Sequence, residues 1–273
     1  MQKVQSDELK GVSETLLIPL HYRVEDSKTD SSVFNDKMAE RFHDAISYDW
    51  EKFQTANSPL RWVMPVRTRI LDDQVGAFIA SNPDQLVVNL GAGLDTRFYR
   101  LDNATIEWIE IDLPAVITFR RKLREPANQR HWLLPASVLD KDWVAEVKRA
   151  GKERVLFVAE GLFPYFTEEE HKKIFACLVD NFPGQEMLFQ TSAPSAVKGL
   201  VQYSHLAKLR TKVEIQWGLE DSREVSSLNP KVRFVQEFPL IEGREEWLPE
   251  ELRQKLSSAK IKDIGKIVHV RFD

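Results

Sequence analysis

A glycine-rich run, Val88-Asn89-Leu90-Gly91-Ala92-Gly93-Leu94-Asp95-Thr96-Arg97, follows a short apolar stretch in this chain of 273 residues. Glycine lets the backbone approach a ligand closely and adopt positive φ. Taken alone, Gly-Ala-Gly also suits an ordinary strand-to-helix turn. About 20 residues further on, a second apolar stretch ends in Glu110-Ile111-Asp112, where an acidic side chain can accept both hydroxyls of a ribose. One of the two carboxylates is expected to reach the ligand; the other is solvated or fixes the turn.

The same residues test the nicotinamide alternative. A dinucleotide fingerprint needs a third glycine at the position held by Thr96. Asp95 would set a negative charge beside a pyrophosphate that wants a free helix N-terminus. No lysine stands where a P-loop needs one. A cofactor without phosphates fits better. S-adenosylmethionine is one, with an adenosine, an amino acid and a sulfonium cation. Asp95 suits the cation, and the backbone at Gly91, Ala92 and Gly93 suits the amino-acid end.

A third motif is Ala159-Glu160-Gly161-Leu162-Phe163-Pro164-Tyr165-Phe166. A carboxylate directly after an apolar run is costly unless solvated or paired. Glu160 and Gly161 are therefore placed at the same crevice. Phe163, Tyr165 and Phe166 either wall a substrate or adenine, or pack in the core, as aromatics often do.

These motifs need strands to carry them. Strands are expected at Leu86–Leu90, 105–111, 131–134, 154–159, 187–189, 232–238 and 265–272. Pro114 opens a helix at the position proline tolerates. Trp143 to Ala150 is a short helix. Thr167-Glu168-Glu169-Glu170 is a capping box for a helix reaching Asn181, which Pro183-Gly184 stops. Phe34, Met38, Phe42 and Ile46 recur every four residues, predicting a helix over 30–55 with Asp30 or Ser31 as N-cap. Further helices are expected over 67–80, 195–211 and from Pro249. Strands alternating with helices predict an α/β fold: a seven-stranded, mostly parallel sheet with helices on both faces. Ligands then bind beyond the carboxyl ends of the strands. The expected organisation is one domain over 1–273. Residues 15–60 form a helical N-terminal cap, 81–192 the cofactor-binding core, and 193–230 a helical insertion that could act as a lid.

Composition narrows the classes. The chain is 42% hydrophobic and 29% charged, enough to bury a core and unlike a membrane protein. No stretch approaches the roughly 20 apolar residues of a spanning helix. Met1 to Lys10 lacks the apolar core of a secretory signal. The single cysteine, Cys177, excludes an intramolecular disulfide and a cysteine-rich metal site. It sits among apolar neighbours as a core residue. A reducing cytoplasm is the expected location, and no metal is expected. A net charge of −4 with dispersed Lys and Arg gives no footprint for nucleic acid. Oligomeric state is not legible.

With these motifs in hand, the chain resembles the leucine carboxyl methyltransferase family. The resemblance rests on residues 89–97, Glu110-Ile111-Asp112-Leu113-Pro114 and Ala159-Glu160-Gly161-Leu162. Thr15-Leu16-Leu17-Ile18-Pro19-Leu20, Arg67-Thr68-Arg69 and Gln216-Trp217-Gly218-Leu219 look like its bacterial, polyketide O-methyltransferase-like branch. The likeness implies a class I methyltransferase fold, Rossmann-like, with the last strand antiparallel. It implies S-adenosylmethionine binding through Arg67, Gly91, Asp112 and Glu160. Arg67 would meet the cofactor carboxylate, Asp112 the ribose and Glu160 the amino group. Leu113, Val138 and Gly161 fall in the same contact set. One position departs: Ser137-Val138 stands where the family usually has Asp-Leu, whose acid binds the adenine amino group. Asp140 is a candidate to compensate.

Methyl transfer is an in-line displacement, so alignment in a dry pocket is the main requirement. A carboxylate acceptor needs no base, whereas a hydroxyl benefits from one. His21, Tyr22, Tyr203 and His205 are candidate bases with nothing to fix their positions, and no catalytic residue is assigned. Tyr22, Phe163, Tyr165 and Tyr203 are candidate substrate-pocket residues. The expected activity is O-methylation of a hydroxyl or carboxyl on a small molecule. The alternatives are a protein C-terminal carboxyl methyltransferase and a non-catalytic descendant that only binds the cofactor.

Overall fold

Leu86–Leu90 and Val155–Ala159 are buried along their whole length, which places both inside a sheet covered on its two faces. The structure, a computed structural model, describes residues 3–29, 32–33, 35–53, 60–194, 214–248, 250, 253–254 and 265–273. In chain order, β1 (Val4–Gln5), α1 (Leu17–Ser27), α2 (Lys37–Ala45) and β2 (Ile46–Ser47) form the N-terminal region, and α3 (Leu60–Ser81) leads into the sheet. There follow β3 (Leu86–Leu90), α4 (Arg97–Leu101), β4 (Glu107–Asp112), α5 (Pro114–Lys122), β5 (His131–Pro135) and α6 (Asp142–Arg149). The described chain continues through β6 (Val155–Ala159), α7 (Glu168–Asn181), β7 (Glu186–Thr191), β8 (Val232–Pro239) and β9 (Lys266–Phe272).

The seven-stranded sheet has the order β5-β4-β3-β6-β7-β9-β8. Its first five members run parallel, and β9 is antiparallel to both β7 and β8. The expected fold class is therefore observed, with the last strand reversed. Alternate side chains of a strand face opposite sides. Val88 and Leu90 accordingly pack with Trp143, Ile174 and Phe175 of α6 and α7, while Val87 packs with Ile70, Leu71 and Val75 of α3. A third core joins α1 and α2 to Leu94 and to Phe119 of α5.

The N-terminal region differs from expectation. In place of one helix over 30–55 there are α2, then β2 and a 3-10 turn at Trp50–Phe53. Asp36 caps α2, its side chain accepting from the Ala39 amide at 2.9 Å. The backbone turns extended at Ile46, so the four-residue periodicity outlasts the helix by one step. Asp30, Ser31 and Phe34 lie outside the described residues. Helix α1 is an addition: Pro19 falls in its first turn, where an amide N–H has no intrahelical partner to lose. Helix α3 begins at Leu60, before Pro65, rather than at Arg67. The capping box at Thr167 is present, with both reciprocal bonds. The helices expected over 195–211 and from Pro249 fall mostly outside the described residues. No helix among those residues is long and apolar enough to cross a membrane.

Candidate active site

Strand order reverses between β3 and β6, each the start of a half-sheet running outward. Such a switch point opens a crevice beyond the strand tips. A cavity of about 370 Å³ lies there, lined by residues that follow β3, β4, β6 and β7 and by residues of the N-terminal cap. The glycine turn makes room for it. Gly91 and Gly93 have φ of +65° and +52°, a region that costs other residues energy. A Cβ on Gly91 would stand 2.5 Å from Leu162 Cδ1, and one on Gly93 3.2 Å from Leu16 Cβ. The second contact shows the cap closing over the turn. Arg23 Nη2 of α1 also donates to the Leu94 carbonyl at 2.7 Å.

Asp112 ends β4 at the cavity wall. Its oxygens accept from the Gly93 and Leu113 amides, each at 2.7 Å. Burial pushes its carboxyl above the usual range, against the pull of those two amides. No salt bridge reaches it among the described residues. Glu110 does not share this role. Residues two apart on a strand share a face, and depth separates these two. Glu110 is fully buried, accepts from Arg120 Nη1 and meets His131 Nε2 at 2.9 Å. It is absent from the cavity wall.

Asp95 touches the cavity, yet its cation is internal. Arg97 donates to it from Nη1 and from the backbone amide, and Asn89 Nδ2 donates at 2.9 Å. Burial alone would raise this carboxyl; Arg97 and Arg100 hold it well below the usual range. The expectation that Asp95 faces the sulfonium is corrected accordingly. Glu160 Oε1 accepts from Arg67 Nε at 2.9 Å and Thr68 Oγ1 at 3.0 Å, and its Oε2 accepts from Arg97 Nη2 at 2.5 Å. Against the effect of burial, Arg67 and Arg97 bring its carboxyl down to about 2.

The Asp-Thr-Arg tail of the glycine motif thus builds a bracket. Arg97 Nε donates to Asp72 of α3 at 2.7 Å. Arg100 bridges Asp72 and Asp36, and Arg23 Nε donates to Asp36 at 3.1 Å. Four guanidiniums (Arg23, Arg67, Arg97, Arg100) meet four carboxylates (Asp36, Asp72, Asp95, Glu160). Balanced charge with hydrogen bonds on each member is what makes a buried ionic network tolerable.

Ser137 and Val138 line the cavity. The Ser137 hydroxyl accepts from the Leu139 amide at 3.2 Å. Asp140 is exposed and off the wall, so it does not replace the missing acid. Leu113, Ala92 and Gly161 are also on the wall. Among the substrate-pocket candidates, Tyr165 lines it and burial raises its phenol pKa. Phe163 is instead sealed in the core against Phe175 and Phe189. Tyr22 packs in the cap core and donates to the Phe53 carbonyl at 3.2 Å. His21 is buried there too, 3.4 Å from His43. Neither stands on the cavity wall. Tyr203 and His205 lie outside the described residues.

Sequence reasoning missed Gln190 of β7, the cap residues Leu16 and Ile18, and Met64 of α3, all on the wall. The signal for Gln190 was present: like Glu160, it is the first polar residue after an apolar run, here Met187-Leu188-Phe189. The cap residues gave no such signal.

The donor set suits a nucleoside joined to an amino acid. Asp112 is a carboxylate with no salt bridge among the described residues, next to a turn with room for a ribose. Arg67 and Glu160 offer a cation and an anion side by side, as an amino-acid zwitterion requires. Fold and cavity define a class I S-adenosyl-L-methionine-dependent methyltransferase. The leucine carboxyl methyltransferase family profile matches residues 17–179, and this chain belongs to that family. It is 33% identical to the tetracenomycin polyketide synthesis O-methyltransferase TcmP of Streptomyces glaucescens, over 86% of this chain and 85% of the relative. It is 27% identical to the S-adenosyl-L-methionine-dependent methyltransferase dpfgK of Gibberella zeae, over 83% and 81%. A candidate methyltransferase from Thermobifida fusca YX has a similar solved structure, at 14% identity with a TM-score of 0.60, over 98% and 97% of the two chains.

Proposed function

We propose that this enzyme methylates an oxygen of a small, largely apolar acceptor. The observation that carries the reading is the wall contributed by the N-terminal segment and the first turns of α3. Val12, Leu16, Ile18, Leu60 and Met64 face the cavity beside Phe166 and Ile215, a lining that suits a compact apolar molecule. The O-methyltransferase relative supports an oxygen acceptor.

In this reading Asp112 accepts the ribose hydroxyls, and the Gly91–Gly93 backbone lets the cofactor lie close. Arg67 takes the cofactor carboxylate and Glu160 its amino group, while Ser137 and Val138 border the adenine. When bound, S-adenosylmethionine supplies an activated methyl group on a positive sulfur. The protein holds the acceptor oxygen in line and keeps water out, the contribution expected of such sites. Glu160 stays ionised because Arg67 and Arg97 hold its proton off. Arg97 fixes Glu160 and so acts as a positioning residue.

The test is calorimetry with S-adenosylhomocysteine, followed by a metabolite-extract screen with labelled S-adenosylmethionine. The reading expects binding to the wild type and its loss in Asp112→Ala, then label on a small molecule. A folded wild type that does not bind rejects the site. Label appearing on proteins alone rejects the small-molecule acceptor.

A further inference from the structure

Gln190 stands near the end of β7. Phe189 pairs with Ala159 across β7 and β6, so Gln190 and Glu160 follow one another on neighbouring strand tips. Gln190 is half-buried and lines the cavity. Arg67 Nη1 donates to its Oε1 at 2.8 Å. A guanidinium has donors and no acceptor. The amide oxygen must therefore face Arg67, which fixes the orientation of the whole amide. Its NH2 group is left as two donors at the cavity wall, and no described residue accepts from them.

The row of tips gives this donor pair a role. Asp112 ends β4, Gly91 and Gly93 follow β3, and Glu160 follows β6. The cofactor reading occupies those three. The β7 tip is the next place outward along the same cavity wall. Leu60, Met64 and Ile215 make other parts of that wall apolar. In such surroundings a donor left unmatched by its ligand costs affinity, so it selects for ligands carrying an acceptor.

We infer that Gln190 reads the methyl acceptor. Its amide donates to a carbonyl or carboxylate oxygen adjacent to the oxygen that receives the methyl group, on an otherwise apolar molecule. The assignment rests on reading the cavity as the site of O-methylation. Arg67 serves both ends of it: Nε and Nη2 hold Glu160, and Nη1 orients Gln190.

The experiment is calorimetry on the protein saturated with S-adenosylhomocysteine, using two probes. One is 1-hydroxy-2-naphthoic acid, which carries a carboxylate beside its hydroxyl; the other is 1-naphthol, which lacks it. The wild type is expected to prefer the acid by about tenfold, the worth of one hydrogen bond to a charged group. Gln190→Leu removes the donors. Gln190→Glu also removes them but still gives Arg67 Nη1 an acceptor, so its S-adenosylhomocysteine affinity should stay within about threefold of wild type. Both variants should lose the preference. A preference that survives in either variant, or a wild type without one, overturns the assignment while leaving the cofactor site standing. Failure of the wild type to bind S-adenosylhomocysteine overturns the cofactor reading itself, and the assignment with it.

Discussion

Thr96 Oγ1 donates to Asp36 Oδ2 at 2.6 Å, joining the glycine motif to the cap of α2 across 60 positions of sequence. The same carboxylate oxygen accepts from Arg23 and Arg100, and its partner oxygen caps the helix. Asp36 therefore ties the N-terminal cap to the turn that borders the cavity.

Replacing Asp36 with alanine should take one carboxylate away from two buried guanidiniums, Arg23 and Arg100. Breaking a buried ion pair from one side costs about 3–5 kcal/mol. Urea unfolding should report a loss of that size, with weaker S-adenosylhomocysteine binding. Asp36→Asn keeps an N-cap acceptor and should lose less. Equal losses in the two variants would place the effect in the ion network rather than the helix cap.

Asp112 carries an opposite trade. Its folded pKa lies above the unfolded value because burial disfavours the charge. Such a group favours folding below the unfolded pKa, and that contribution is lost as pH rises through the folded one. Above that folded pKa the ionised carboxylate costs the protein stability. Asp112→Asn should then be at least as stable by urea unfolding, yet bind S-adenosylhomocysteine about tenfold more weakly or worse. An Asn variant clearly less stable than wild type would contradict this.

Acid should act in two stages. Burial and the neighbouring His21 hold His43 down at about 4, so its ring stays neutral in the folded cap. The unfolded chain binds that proton first, and stability falls as pH drops from about 6.5 towards 4. Glu160, held at about 2 by Arg67 and Arg97 against burial, contributes stability that is lost below about 4.5. His43→Phe should shrink the first stage, to which His21 and His171, also held below the ordinary histidine value by burial, contribute, and should leave the second. A melting-temperature profile against pH, recorded for both proteins, measures it.

Gly91→Ala should strain the turn twice. The φ of +65° costs an L-residue about 1–2 kcal/mol, and the new methyl meets Leu162 Cδ1 at 2.5 Å. Leu162 also lines the cavity, so its displacement should weaken S-adenosylhomocysteine binding beyond the loss of stability. Unchanged binding at lowered melting temperature would separate the two effects.

Much of this was legible in the chain itself. The alternation of apolar runs with capped helices determined the sheet, because burial on two faces needs continuous apolar strands and helix ends need caps. The glycine turn and the carboxylates after β4 and β6 were visible for the same reason: each is a local departure from an apolar run. Tertiary structure decided which carboxylate lies on the cavity wall without a salt bridge among the described residues. Glu110, Asp95 and Asp112 look alike in sequence, but Arg120 of α5 and His131 of β5 close off the first, and Arg97 the second. The end of α2 at Ala45 and the pairing of Arg67 with Gln190, 123 positions apart, were likewise settled in space. Charges in a buried site are assigned by whatever opposite charge lies within a few ångströms, and that distance is a property of the fold rather than of the neighbouring residues.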